Sequence, residues 1–222
     1  MRSLISAVAL TGVAVGTLVA TPAAARAAEF GVQLHGGTLG AGADLAFGLS
    51  DHWNGRVGFN KYTASEDFTQ NDIDYSADLE LESGHALADW HPFGGGFRVS
   101  GGIVFNNNEV NGTATVNGGD QVGGQTVPPG GGGTIAANVS FNDTAPYLGI
   151  GYGNAIHGWG PLSFSVDLGV LAQGSPDVKL SEKDDIQGVN QDDLDREAKN
   201  VEDEFSDFDL YPVLQAGLIY RF

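Results

Sequence analysis

The chain has 222 residues, the size of one domain once a short leader is set aside, and its 28 acidic against 10 basic residues give a net charge of −18. A surface of that sign repels nucleic acid and anionic membrane faces. The lack of cysteine excludes disulfides, thiolate metal sites, cysteine nucleophiles and a lipid-modified N-terminal cysteine, and 34 glycines, twice the usual share of ~7%, argue against a Leu-rich helical protein.

Arg2 precedes an apolar run from Leu4 to Ala20, and Ala25-Arg26-Ala27 fits the small-residue cleavage pattern. Residues 1–27 therefore read as a secretory signal peptide and 28–222 as a single domain with a net charge of −20. Beyond Ala28 no run approaches the ~18 consecutive apolar residues of a membrane helix.

The mature chain instead alternates with a period of two, the spacing that puts successive side chains on opposite faces of a strand. Phe30, Val32 and Leu34 make the first run; Ala43, Leu45, Phe47 and Leu49 the second; Val57 and Phe59 the third. The fourth, from Ile73 to Trp90, sets Ile73, Tyr75, Ala77, Leu79 and Leu81 against Asp74, Ser76, Asp78, Glu80 and Glu82, and its phase changes near Gly84, where a bulge is expected. Phe97, Val99, Ile103 and Phe105 form the fifth; Leu148, Ile150 and Tyr152 the sixth; Leu162 to Val170 the seventh; Leu214 to Phe222 the eighth. At ~3.3 Å per residue the fourth run is about 60 Å long, more than twice the ~25 Å apolar band of a membrane barrel, so part of the sheet should project beyond the lipid.

An even number of half-apolar strands suits a membrane β-barrel with lipid outside and a filled interior, or a soluble lipocalin-like barrel with the pattern inverted. The leader, the alternation of short and long links, and the placing of Trp53, Trp90 and Trp159 beside short links favour the membrane form, with the tryptophans as a periplasmic aromatic girdle. The link from Thr38 to Gly42 is the exception, short on the long-link side, and about ten residues after Tyr62 are expected as loop. The expected fold is an all-β, eight-stranded antiparallel up-and-down transmembrane β-barrel with one short amphipathic helix in the last long loop.

The chain closes on Leu218-Ile219-Tyr220-Arg221-Phe222, with Leu214, Ala216, Leu218, Tyr220 and Phe222 at every second position. This resembles the C-terminal signal by which Gram-negative outer-membrane proteins are recognised by the barrel-assembly machinery. Ala88-Asp89-Trp90-His91-Pro92-Phe93, Pro146-Tyr147-Leu148-Gly149-Ile150-Gly151-Tyr152-Gly153 and Gly174-Ser175-Pro176-Asp177-Val178 are likewise similar to segments of a functionally undefined group of small proteobacterial outer-membrane barrels. The resemblance implies residence in the cell outer membrane, in contact with its lipid and lipopolysaccharide, and implies no activity.

Asn107 to Gly133 is rich in Asn, Gly, Thr and Pro and is expected to be a mobile loop, with Thr134 to Phe141 returning as a strand. In 191–205, Leu194, Ala198, Val201 and Phe205 recur at helical spacing behind an Asn190/Asp193 cap. Gly174 to Asp209 holds 13 acidic and 4 basic residues, a local charge of −9 that suits a solvated helix or a site for divalent cations or a cationic partner.

Arg56, Arg98 and Arg221 share the interior-facing phase with Asp44, Asp78, Glu80, Glu82 and Asp167, a lumen charge cluster that either plugs the barrel by pairing or lines a narrow cation path. His52, His91 and His157 fall one in each short turn, too spread for one metal ion. Ser83, His85 and Glu82 hold a serine, histidine and acid together, but without a second catalytic motif. Gly149, Gly151 and Gly153 lack the following helix of a dinucleotide site and read as interior glycines making room for bulky neighbours. No cofactor is expected. The reading is a non-enzymatic structural or surface-interaction protein, with a cation-preferring channel or small-solute transporter as the alternative and a lipid A acyltransferase or deacylase as the third.

Overall fold

The computed structural model describes residues 29–222 apart from 71, 72, 159, 185 and 205–208, so the leader, Trp159 and Phe205, the last residue of the expected helical stripe, lie outside the described residues. The strands before the first long excursion are β1 (Phe30–Gly37), β2 (Gly40–Ser50), β3 (Trp53–Gln70), β4 (Ile73–Trp90) and β5 (Phe97–Asn106). They are followed by β6 (Glu109–Val116), a small hairpin of β7 (Gln121–Val122) and β8 (Gln125–Thr126), and β9 (Gly133–Ser140). The chain continues through β10 (Thr144–Tyr152), β11 (Leu162–Ala172), β12 (Asp177–Glu182), helix α1 (Gln191–Glu204) and β13 (Leu210–Arg221).

Eight strands close a barrel in the order β1, β2, β3, β4, β5, β10, β11, β13, with every neighbouring pair antiparallel and β13 returning to β1. Its outer face carries Leu34, Leu45, Val57, Ile103, Leu148, Phe164, Leu168 and Leu218, all exposed. An apolar belt of that extent needs lipid rather than water around it. The pattern is therefore the membrane form and not the lipocalin-like inversion.

At the short-turn end, Trp53 and Trp90 are register partners and stack with ring centroids 6.2 Å apart. Phe93 with Phe97, Tyr152 with Phe164, and Tyr220 with Phe222 extend this ring of outward aromatics. Leu214, Ala216, Leu218 and Tyr220 all face out along β13, in the phase that period-two spacing implies.

The longer strands build a second region at the other end. Above Leu81, β4 leaves β5 and pairs instead with β6, which pairs with β9, which pairs with β12. Helix α1 lies against the concave face of this sheet, with Leu194 joining Val116, Ile135 and Ile186 in an aliphatic core. Its N-terminus has a reciprocal cap: the Asn190 amide donates to Asp193 Oδ2 and the Asp193 amide to Asn190 Oδ1, each at 3.1 Å.

Three expectations are corrected. The β3–β4 register runs unbroken from Trp53↔Trp90 to Gln70↔Ile73, so no bulge interrupts β4 at Gly84. The stretch after Tyr62 continues β3 rather than looping. The segment 107–133 contains β6 and the β7–β8 hairpin, held because β6 has partners on both sides.

Candidate functional site: the packed lumen

Inward residues fill the barrel in three layers. In the middle, Arg56 lies among three carboxylates: Nε is 3.0 Å from Asp89 Oδ2, and Nη1 is 3.4 Å from Asp44 Oδ2 and 3.5 Å from Asp167 Oδ2. Arg98 forks onto Asp167, with Nη2 donating at 2.8 Å to Oδ1 and 2.7 Å to Oδ2, and also donates to the Gly153 carbonyl. Ser100 Oγ donates to Asp89 Oδ1 at 2.6 Å. These five charged side chains are all buried, and paired burial is the condition under which such charges persist.

The layer towards the long loops is polar and then apolar. His85 Nε2 sits 2.9 Å from Asp44 Oδ1, His35 Nε2 2.8 Å from Asn60 Oδ1, and Gln215 Nε2 donates to Asn60 Oδ1 at 2.9 Å. Leu39, Val104, Ala145, Tyr147, Leu171 and Val213 form a buried apolar cluster on inward positions of β5, β10, β11 and β13 and in the β1–β2 turn.

At the short-turn end, the link between β10 and β11 folds into the barrel mouth. Ala155 and Ile156 bury against Ala46 and Ile219. Asn154 sets this link: its Oδ1 accepts the Ile156 and His157 amides at 2.9 Å each and Asn54 Nδ2 at 3.2 Å, while its carbonyl accepts Arg221 Nε at 2.8 Å. The approach is so close that a Cβ on Gly31 would stand 2.2 Å from the Ala155 carbonyl oxygen.

Glycines make the middle layer fit. A Cβ at Gly151 would meet Asp167 Oδ1 at 2.6 Å, and one at Gly149 would meet Tyr147 Oη at 2.4 Å. The sequence reading of Gly149 and Gly151 as space-makers matches this packing.

The predicted site residues are divided by the structure. Arg56, Arg98, Asp44 and Asp167 come together in the lumen. Arg221 lies at the short-turn rim, bonded to the Asn154 and Gly160 carbonyls and to Ser163 Oγ. Asp78, Glu80 and Glu82 are exposed on the outward face of β4, and Glu82 Oε2 pairs with Lys61 Nζ at 2.6 Å. The lumen assignment of these three is corrected, because the unbroken register keeps them on the face that Trp90 occupies lower down.

Alternation leaves several participants unmarked, His35, Asn60, Ser100 and Gln215 as well as Asp89 and Asn154. Asp89 shares the inward phase of Ser83 and His85, but an expected bulge at Gly84 hides that phase. Asn154 sits in a turn, where period-two reasoning has no purchase.

Ser83 and His85 do not form a nucleophile–base pair. Asn60 Nδ2 donates to Ser83 Oγ at 3.2 Å and lies 3.4 Å from His85 Nδ1, while Glu82 points to the opposite face. The turn histidines stay apart: His91 is buried between Asn54 Nδ2 and the Gly95 carbonyl, His157 faces Glu29, and His52 is exposed. Among the described residues no three potential ligands are grouped to hold a metal ion. In the acidic last loop, Glu197 accepts the Gly123 amide and Asp193 pairs with Arg196, so these carboxylates also hold the lobe together.

No protein-family model and no curated protein sequence matches the chain. Among solved structures, CarO2 of Acinetobacter baumannii is 21% identical over 87% of this chain and 98% of its own, with a TM-score of 0.59. CarO of the same organism is 23% identical over 86% of this chain and 97% of its own, with a TM-score of 0.58. A major outer membrane protein of Thermus thermophilus is 17% identical over 89% of this chain and 100% of its own, with a looser TM-score of 0.38. The likeness to the two Acinetobacter proteins is one of fold.

Proposed function

We propose that this protein resides in the outer membrane of a Gram-negative bacterium as a closed, non-conducting barrel, with its short turns in the periplasm and the β6–β9–β12 lobe outside the cell. Its role is then structural or one of surface interaction, carried by an acidic external face. The observation behind this reading is the layering of the lumen, where a layer of paired charges lies between an apolar layer above and the Ala155–Ile156 plug below. An ion crossing that path would have to enter two dry layers and separate buried pairs. The aromatic ring at the turn end and the aromatic C-terminus support the orientation.

Conductance tests it. Refolded mature protein in a planar bilayer, shown folded by a heat-dependent shift on a denaturing gel, is expected to be silent at two salt concentrations. Discrete cation-selective steps would replace this reading with the channel, since Asp44, Asp89 and Asp167 outnumber Arg56 and Arg98 in the lumen.

A further inference from the structure

The lobe also holds a cavity, set beside the upper apolar layer of the lumen, against which Tyr211 packs. Val110, Val139 and Val178 stand in register across β6, β9 and β12 on the concave face of the sheet. Helix α1 covers part of that face through Leu194 and ends beyond Val201. Between the three valines, Val201 and the Leu210-Tyr211-Pro212 start of β13 lies a cavity of about 510 Å³. That volume is typical of small-molecule sites, which run from ~300 to ~1,000 Å³.

Among the described residues, the lining holds no charged one. Its polar side chains are Gln173 and Tyr211, and the Tyr211 hydroxyl already donates to the Thr38 carbonyl at 2.7 Å. Such walls suit an aliphatic chain, because burying an unpaired polar group against them is costly.

Charge appears beside the cavity, and it is negative. Glu202 Oε1 accepts the Val178 amide at 2.9 Å, and Asp209 Oδ1 accepts Ser175 Oγ at 2.9 Å, so both carboxylates are fixed next to lining residues. Two nearby cations are already engaged: Lys179 Nζ is 3.0 Å from Asp177, and Arg196 bonds Asp193 and the Gly123 carbonyl. With a net −9 over 174–209, a fatty carboxylate or a lipid phosphate would approach against a field of its own sign.

We propose that this cavity binds a cationic amphiphile, an aliphatic chain ending in an amine, with the chain against the three valines and the amine towards Glu202 and Asp209. The proposal rests on the reading of the external lobe as the working surface. Bilayer conductance would sink that reading without touching the cavity, whereas the experiment below tests the cavity alone.

The mature protein in zwitterionic nanodiscs would be photolabelled with a diazirine-bearing decylamine and, in parallel, with the matching decanoate, and the adducts mapped by mass spectrometry. The amine is expected to label Val139, Val178 and Val201 at least tenfold more than the carboxylate does. Hexylamine should compete at least about a hundredfold more weakly than decylamine, since each buried methylene contributes roughly fourfold. Glu202→Gln with Asp209→Asn keeps both hydrogen-bond acceptors and is expected to erase the preference for the amine. Val201→Trp fills the cavity and should cut labelling tenfold with the gel shift intact. Equal labelling by both probes, adducts confined to belt residues such as Leu148, or indifference to Val201→Trp would each overturn the proposal. If Val201→Trp unfolds the lobe, the two-probe comparison on the unaltered protein decides.

Discussion

Strand β4 belongs to two regions that treat the same face in opposite ways. In the barrel its outward positions are Gly84, Ala86, Ala88 and Trp90 and its inward ones Ser83, His85, Leu87 and Asp89. In the lobe the outward positions are Ser76, Asp78, Glu80 and Glu82 and the inward ones Ala77, Leu79 and Leu81. The backbone does not change phase; its surroundings do. Lipid lies outside the barrel and demands apolar or small side chains there, which leaves polar groups to fill the interior. Water lies outside the lobe, so its concave face takes the aliphatic residues as any soluble sheet would. The two regions consequently have unlike cores, ion pairs in one and Val116, Ile135, Ile186 and Leu194 in the other.

The barrel's dependence on its ion pairs is greatest at Arg56. Arg56→Ala leaves Asp44, Asp89 and Asp167 buried without their shared cation, and removing one partner of a buried ion pair costs about 3–5 kcal/mol. The loss is expected in the urea midpoint of the heat-shifting barrel, with proteolysis of the lobe unchanged before that transition. A midpoint within error of the unaltered protein would mean that the charge layer does not hold the barrel.

A charge moved along one face of β4 sharpens the contrast at a smaller scale. Ala86→Arg places a cation in the lipid belt, where Arg near the midplane of a membrane barrel costs about 2–4 kcal/mol. Glu80→Arg puts the same side chain on the same face of the same strand, in water, and its urea midpoint should match that of the unaltered protein. Equal effects at the two positions would mean that the boundary between lipid and water does not lie near Gly84.

Much of the barrel was legible because its signal is periodic. Leu45, Val57, Leu148 and Leu168 alternate against Asp44, Arg56, Gly149 and Asp167, and the contrast of lipid with packed interior writes that period directly into the sequence. The same signal misplaced Asp78, Glu80 and Glu82. An inverted pattern within one strand has two causes, a bulge or a change of solvent, and alternation alone does not separate them. Strand β6 was hidden because Asn111, Gly112, Thr113 and Thr115 have loop-like composition, and its partners, Tyr75 to Glu80 and Gly133 to Ser140, are supplied by other strands. Asn154 was hidden for a related reason, since a turn that plugs a barrel is specified by side-chain hydrogen bonds and has no period to read.

The smallest expected effect lies at the turn end, where a buried histidine links β3 to the turn after β4. His91 is 1% exposed; its Nδ1 is 3.0 Å from the Gly95 carbonyl and its Nε2 3.0 Å from Asn54 Nδ2. Both contacts suit the neutral ring, with Nδ1 donating and Nε2 accepting from the Asn54 amide. Burial holds its pKa below the usual value, assisted by Arg98 and opposed by Asp89 and the backbone contacts. A depressed pKa means that the unfolded chain binds the proton first. The contribution to stability is thus complete above pH ~6.5 and is lost as pH falls from there towards the folded-state pKa. Other histidines lie elsewhere in the fold, so the measurement is a difference: urea midpoints at pH 8 and pH 5.5 for the unaltered protein and for His91→Gln, whose amide can serve both neighbours at either pH. The unaltered protein should lose more stability on acidification than the variant does. Equal losses would show that protonation at this turn costs the barrel nothing, and any pH response would then have to arise elsewhere in the fold.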